Sequence, residues 1–514
     1  MKPIPSPASS RQPRRQFLRQ AAVGAAAAVA FPAVLRSAGA RRDRPNLLFL
    51  WTDQQRADTL ACYGNPRVQA PNLNALAAQS TVFDRAYVAQ PVCTPSRSAV
   101  MTGLWPHQSG CTGNNIALRP DTRCFPELLR DRADYATGYI GKWHLGDEAF
   151  AQHGFNEWAS TEDGYSRGFS AGRDRETRSA YHHWLLAKGH KPDKKGTFSR
   201  DYAVRVPVEF GKPAFQGERA CAFLDQHRNE PFVLHVNYLE PHTPYHSPLN
   251  ALHSPEALAI DPSFARDDDP EQIPLRYRLR QSSPGNNEAK LRDIRTHYLG
   301  NVACVDRSIG RILARLEQHG LADNTIIVFT SDHGDQLGAH RMVGKSVMYE
   351  ESVRIPCFIK VPGGRGGHRV MSPWSHIDMT PTLLDLMGQP AAQGLAGRSR
   401  AAEIRGGTAP AQNVFVQWNV NEGPGGKGDG DGDGVKADDE ASRRASQERT
   451  RTVITPEGLK LCLSDVDRCQ FFDRRKDPYE QHNLYYREGN RDAVAKLTKE
   501  IHAWQKRVGD TLAV

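Results

Sequence analysis

Residues 44–55 read RPNLLFLWTDQQ, a run that is apolar at every position from Leu47 to Trp51 and then turns polar at Thr52, Asp53 and Gln54. A half-exposed strand would alternate; a run with no wet face reads as a strand covered on both sides, as in a parallel sheet between helices. Its carboxyl end carries an acid, and open α/β sheets bind ligands in the crevice outside that end. The pattern recurs three times. In NTIIVFTSDHGDQLG (324–338) the strand Ile326–Thr330 delivers Asp332 and His333. In PFVLHVNYLEPHTPY (231–245) a strand delivers His242, and in ATGYIGKWHLG (136–146) a short one delivers Lys142 and His144. Helical periodicity lies between them, as over Thr296–His319 and His376–Met387. The expected fold is α/β over residues 44–408, a large, mostly parallel mixed sheet flanked by helices.

After residue 408 the character changes. Strand-like runs at Asn413–Asn419, Thr450–Thr455, Leu459–Leu463 and Gln470–Asp473, then a helix near Arg491–Val508, predict a smaller α+β domain over 409–514. A chain of 514 residues exceeds what one core organises, which agrees with this division.

The first forty residues stand apart. Paired arginines in RRQFL (Arg14–Leu18) precede an alanine-rich apolar core, and SAGA (37–40) has the small residues of a cleavage site. Residues 1–40 are read as a twin-arginine-type signal peptide, implying the twin-arginine export machinery as a partner and a bacterial periplasmic or extracellular destination. The stretch is short for a span, so no stable membrane insertion is expected, although a retained anchor is the alternative. The formal charge is +9, but its basic residues are scattered and form no basic helix or aromatic-basic module; this excludes a nucleic-acid partner and leaves a field that draws in anionic substrates. Nine cysteines show no C-x-x-C spacing, so no zinc ribbon is expected. Cys462 and Cys469, flanking the turn LSDVDR, are the best candidate disulfide, and the odd total leaves Cys93 as the outsider.

The polar residues at the four strand ends are Asp53, Asp332, His333, His242, Lys142 and His144. Singly each has an ordinary reading, an aspartate after a strand often being a helix cap. Together, carboxylates with an imidazole suit a divalent cation, Ca²⁺ or Mg²⁺ before zinc, and the lysine and histidines suit an anion beside it.

Cys93 lies in PVCTPSRSAVMTG (91–103), a thiol in a polar stretch where a helix is about to start. CTPSRSAVMTG resembles the sulfatase signature, C-x-P-x-R followed by small residues and Thr-Gly. It is accompanied in family order by TDQQRADTLACYGN, GKWHLG, PHTPY, SDHGDQLGAH, GKSVMYEESVRIP and the closing FFDRRKDPYEQHNL, from residue 45 to about 484. The resemblance implies an alkaline-phosphatase-like fold and hydrolysis of sulfate esters.

It also implies the chemistry. Cys93 would be oxidised by a formylglycine-generating enzyme to 3-oxoalanine (Cα-formylglycine), whose hydrate, a gem-diol, is the nucleophile; its spare hydroxyl lets the sulfated intermediate collapse by C–O cleavage. Asp53, Gln54, Asp332 and His333, with an oxygen of modified Cys93, would hold the metal, Ca²⁺ with Mg²⁺ as the alternative. Arg97, Lys142 and Lys345 would offset charge on the sulfuryl group. His144 and His242 would be the base and the acid, in an order the resemblance leaves open. Many relatives carry Asp-Asp after the first strand where this chain has Asp53-Gln54, so the site has one negative charge fewer. The starts TDQQ and PHTPY resemble enzymes acting on sulfated sugars, with residues 160–220 and 246–290 as the loops that would read them. The alternatives are a formylglycine-dependent phosphonate monoester or phosphodiester hydrolase, and an inactive sulfoglycan-binding relative.

One stretch falls outside these motifs. In GPGGKGDGDGDGVKADDEASRR (423–444), Asp429, Asp431, Asp433, Gly434 and Glu440 have the spacing of a calcium loop, but Lys436 replaces the apolar anchor and glycines replace an entering helix. A solvated insertion between two strands is the expectation.

Overall fold

The computed structural model describes residues 44–257, 259–265, 272–281, 284–420 and 439–514. The signal-peptide reading of residues 1–40 and the loop positions 429–438 lie outside the described residues. Pro45–Val514 form one compact unit.

Eight strands make the large sheet: β1 (Asn46–Asp53), β2 (Thr81–Phe83), β3 (Ala136–Gly141), β4 (Glu157–Ser160), β5 (Phe232–Pro241), β6 (Thr325–Ser331), β7 (Cys357–Lys360) and β8 (His368–Val370). Their order is β8-β2-β7-β6-β1-β5-β3-β4. All neighbours run parallel except β7, which is antiparallel to both β6 and β2. The sheet is thus mostly parallel and mixed, as expected. β1 lies inside it, paired to β5 on one side and β6 on the other, which explains its unbroken apolar run. Leu47, Phe49 and Trp51 point into one core and Leu48 and Leu50 into the other. The second core is closed by α2 (Lys212–Gln226) and α3 (Glu288–Gln318), the helix α1 being Cys93–Thr102.

The C-terminal segment forms an antiparallel sheet of β9 (Val414–Trp418), β10 (Thr450–Ile454), β11 (Leu459–Ser464) and β12 (Gln470–Asp473). One face, through Val414, Val416, Trp418 and Ile454, joins the core that Phe49 and Trp51 enter. The other, through Phe415, Val453, Leu461 and Phe471, packs on Leu497, Ile501 and Trp504 of the terminal helix, Arg491–Val508.

Two expectations are corrected. The helix read as Thr296–His319 begins at Glu288, where Asn287 Oδ1 accepts the Lys290 N–H at 3.0 Å. Its first turn, Glu288–Lys290, is exposed, and the apolar spacing that continues at Tyr298 is already carried by Leu291 and Ile294, which the narrower reading left out. The Cys462–Cys469 disulfide is not made; both thiols are free. Cys462 is registered opposite Gln470, so the neighbouring Cys469 falls out of phase with it. Glu440 opens a short helix, Glu440–Ser446, capped by Asp439.

Candidate functional site

Strands β6, β1, β5 and β3 are consecutive neighbours and parallel, so their carboxyl ends form one edge. There Asp53 ends β1, Asp332 and His333 follow β6, His242 follows β5 and Lys142 follows β3. Backbone close approach sets this edge: a Cβ on Gly141 would stand 1.9 Å from Asn237 O, and one on Gly334 1.9 Å from Glu351 O.

Cys93 arrives from outside the sheet, as the first residue of α1. Every residue of that helix is buried. Its small side chains permit the close fit: Ser96 Oγ donates to Asp332 O at 2.5 Å, and the Thr94 N–H donates to Asn114 Oδ1 at 3.1 Å. Gly103, at φ 69°, ends it. The helix therefore aims its positive end at the strand edge.

Arg97, one turn into α1, ties the edge together. Its Nε donates to Asp332 Oδ2 at 2.9 Å, its Nη2 to Asp53 Oδ2 at 3.0 Å and its Nη1 to Lys142 O at 2.9 Å. Lys142 Nζ donates to Asp53 Oδ2 at 2.7 Å. Burial pushes the Asp53 carboxyl up, but Lys142, His242, Arg97 and Lys345 together hold it well below the ordinary value. The Cys93 thiol lies 3.2 Å from His333 Nε2, 3.8 Å from Asp53 Oδ1 and 3.3 Å from Lys345 Nζ. His333 Nδ1 faces the carbonyl of Gly334 at 2.9 Å, so the proton is assigned there and Nε2 keeps its lone pair. Burial lowers the His333 pKa further, which favours the neutral ring a metal needs.

Asp53, Cys93, Asp332 and His333 bring their ligand atoms within 4.8 Å of one another, all buried. Two carboxylates and an imidazole around one point fit a divalent cation. Gln54 behaves differently from the expected carbonyl ligand. Held at φ 67°, it accepts Lys345 Nζ on Oε1 at 2.8 Å and donates from Nε2 to Asp335 Oδ2 at 2.5 Å and Tyr245 OH at 3.1 Å.

Lys345 also reaches His242 Nε2 at 3.0 Å, while His242 Nδ1 donates to Thr243 O at 2.8 Å. His144, at φ 60°, sits beyond Lys142 with Nε2 2.8 Å from Asn115 Oδ1. Its backbone is pinned on both sides: Glu148 accepts the N–H groups of Trp143 and His144 at 2.9 and 2.7 Å, and Thr94 Oγ1 donates to His144 O at 2.8 Å. Every sequence-predicted site residue thus falls in this one region, and none is more than 3% exposed. Sequence reasoning missed Asn115, Glu148, Tyr165, Tyr245 and Asp335. Tyr245 closes PHTPY and Asp335 lies in SDHGDQLGAH; Glu148 is four positions from His144, and Asn115 and Tyr165 meet the site through folding, Asn115 being 29 positions from its partner.

Among the described residues no helix is long and apolar enough to cross a membrane. Comparison with known proteins agrees with the geometry. The chain is 29% identical over 475 residues to an ulvan-active sulfatase of Formosa agariphila, covering 89% of this chain and 81% of that one. It is 25% identical over 524 residues to an N-acetylglucosamine-6-O-sulfatase of Bacteroides thetaiotaomicron, covering 89% and 85%. Among solved structures, a phosphonate monoester hydrolase from Silicibacter pomeroyi superposes with a TM-score of 0.74 at 24% identity, over 91% of this chain and 96% of that one, a likeness of fold. The sequence model of the Sulfatase family matches residues 45–389, and with it the chain belongs to the sulfatase family, hydrolases of sulfate esters.

Proposed function

We propose that this protein releases sulfate from a sulfated sugar or polysaccharide, using Cys93 converted to formylglycine as nucleophile. The observation that carries the reading is the place of Cys93: its Sγ faces Asp53 and His333 on one side and Lys345 on the other, at a helix N-terminus. Hydrated formylglycine supplies a nucleophilic hydroxyl and a second one for collapse. A divalent cation, Ca²⁺ or Mg²⁺, would be held by Asp53, Asp332, His333 and the modified Cys93, and supplies Lewis acidity.

The chain's own residues do the rest. Arg97 holds both carboxylates from behind, which fixes the orientation of Asp53 and Asp332. Lys142 and Lys345 meet the charge of the sulfuryl oxygens, Lys345 being held by Gln54 Oε1 and His242 Nε2. His242 presents Nε2 toward Lys345 and so toward the nucleophile. His144 carries its proton on Nε2, on the Asn115 side. One of these imidazoles protonates the leaving oxygen and the other removes the proton that drives collapse. Both curated relatives are named for activity on sulfated sugars or their polymers, which supports that substrate class. Export through the twin-arginine route to the periplasm or beyond suits such a substrate.

A second reading, phosphonate monoester or phosphodiester hydrolysis, has one observation in its favour. Gln54 stands where many sulfatases have an acid, and the pocket is less negative for it. Protein made with a formylglycine-generating enzyme should show the thiol-to-aldehyde mass change on the Cys93 peptide and hydrolyse sulfated saccharides faster than aryl phosphonate esters. Cys93→Ala should lower turnover by at least about 10⁴-fold with the fold intact. Free thiol in fully active enzyme overturns the mechanism, and faster phosphonate hydrolysis transfers it to the second reading.

A further inference from the structure

Four groups outside the reacting cluster converge on one imidazole. The His144 backbone is in the left-handed region, uncommon for a residue with a side chain, and is held there by Glu148 and Thr94. Asn115 bonds one edge of the ring. The hydrogen bond at Nε2 holds that edge. The fourth group, Tyr165, covers a face of the ring and so restrains rotation of its plane. Its ring stacks on His144 with centroids 4.4 Å apart and planes at 28°, while Lys142 Nζ lies 5.9 Å from the tyrosine centroid on the side of the charged cluster.

Tyr165 is itself anchored. Arg200 Nη2 donates to its hydroxyl at 2.6 Å, with the guanidinium 5.5 Å from the ring centre. Arg200 Nε in turn donates to Glu162 Oε2 at 2.6 Å, and Lys212, the first residue of α2, bonds the other oxygen of Glu162. Burial pushes the Glu162 carboxyl up, yet Arg200 and Lys212 hold it down at about 2, so this anchor stays charged. A bare surface loop needs no such chain of buried charges leading to one aromatic face.

We propose that Tyr165 is a positioning residue for His144, and that the segment 161–212 acts on the reaction through this stack; the proposal rests on the role given to His144 above. Mispositioning a proton-transfer group affects the chemical step, whereas losing an aromatic surface that binds sugar affects substrate affinity. The test therefore separates kcat from KM. Tyr165→Leu keeps apolar volume but has no flat face, and kcat should fall about 10- to 100-fold with KM within about twofold. Tyr165→Phe keeps the face and loses the hydroxyl to which Arg200 donates, and should restore kcat to within about threefold. Both variants are assayed on a sulfate ester and a phosphonate monoester in parallel, so that the outcome does not depend on which ester the wild type prefers. A rise in KM at unchanged kcat makes Tyr165 a substrate platform and overturns the proposal. So does an unchanged Leu variant, or a Phe variant as slow as the Leu one. Circular dichroism and melting temperature confirm that each variant is folded.

Discussion

Two buried charge networks can be set side by side. At the strand edge, Arg97 and Lys142 pair with Asp53 and Asp332, Lys345 bonds Gln54 Oε1, and a third buried carboxylate, Asp335, accepts the amide of the same Gln54. Where the C-terminal sheet meets the large domain, Lys460 lies 3.3 Å from Glu350 and 2.8 Å from Glu480, and Arg474 lies 2.9 and 3.6 Å from the same two acids. That network has two charges of each sign. Burial makes any unmatched charge costly, so a balanced set is what joining two parts of a fold requires. At the strand edge Lys345 is instead held by an amide oxygen and an imidazole, beside the Cys93 thiol. A cation placed next to the proposed nucleophile suits the anionic ester proposed above.

The contrast can be broken first at Lys460. Lys460→Met leaves Glu350 and Glu480 sharing Arg474 alone, and should cost about 3–5 kcal/mol of stability in urea unfolding. The folded fraction should keep its kcat. Lys345→Met should do the reverse: kcat/KM falls about 10²- to 10³-fold while the loss of unfolding free energy is smaller than in Lys460→Met, because Lys345 bonds an amide oxygen and an imidazole where Lys460 bonds two carboxylates. Equal stability losses in the two variants would erase the distinction.

Gln54→Asp sharpens the comparison further. It places a carboxylate against Asp335, whose Oδ2 now accepts Gln54 Nε2. The metal-free protein should melt a few degrees lower, and divalent-cation affinity should rise about tenfold by calorimetry. Unchanged affinity would assign Gln54 to holding Lys345 and not to the metal.

A further test is pH. Burial raises the Glu148 and Glu240 carboxyls to about 7 and Glu351 to about 8. A carboxyl whose pKa is raised on folding contributes stability that is complete below about 4.5 and is lost as pH rises through the folded value. Unfolding free energy should therefore decline between pH 5 and pH 8.5, and Glu351→Gln should remove up to about 5 kcal/mol of that decline. A slope the substitution leaves untouched would show that Glu351 is ionised throughout.

The parts of the molecule written as contiguous patterns were legible. β1 declares itself by five consecutive apolar residues because both faces of a central parallel strand are dry. The C-terminal strands were read almost to the residue, since antiparallel hairpins are local. Cys93, Arg97, Asp53, Asp332, His333, Lys142, His144, His242 and Lys345 were found because each sits in a short motif or at a strand end. What tertiary structure alone decided is which atoms meet. Gln54 turns its oxygen to Lys345 because Asp335 takes its amide, a contact spanning 281 positions. Cys469 misses Cys462 because strand register puts Gln470 opposite it. His144 acquires Asn115 and Tyr165 from two other segments. Strand periodicity is a property of neighbours along the chain, whereas the direction of a side chain depends on packing among distant ones, and a single sequence does not encode that in any local pattern.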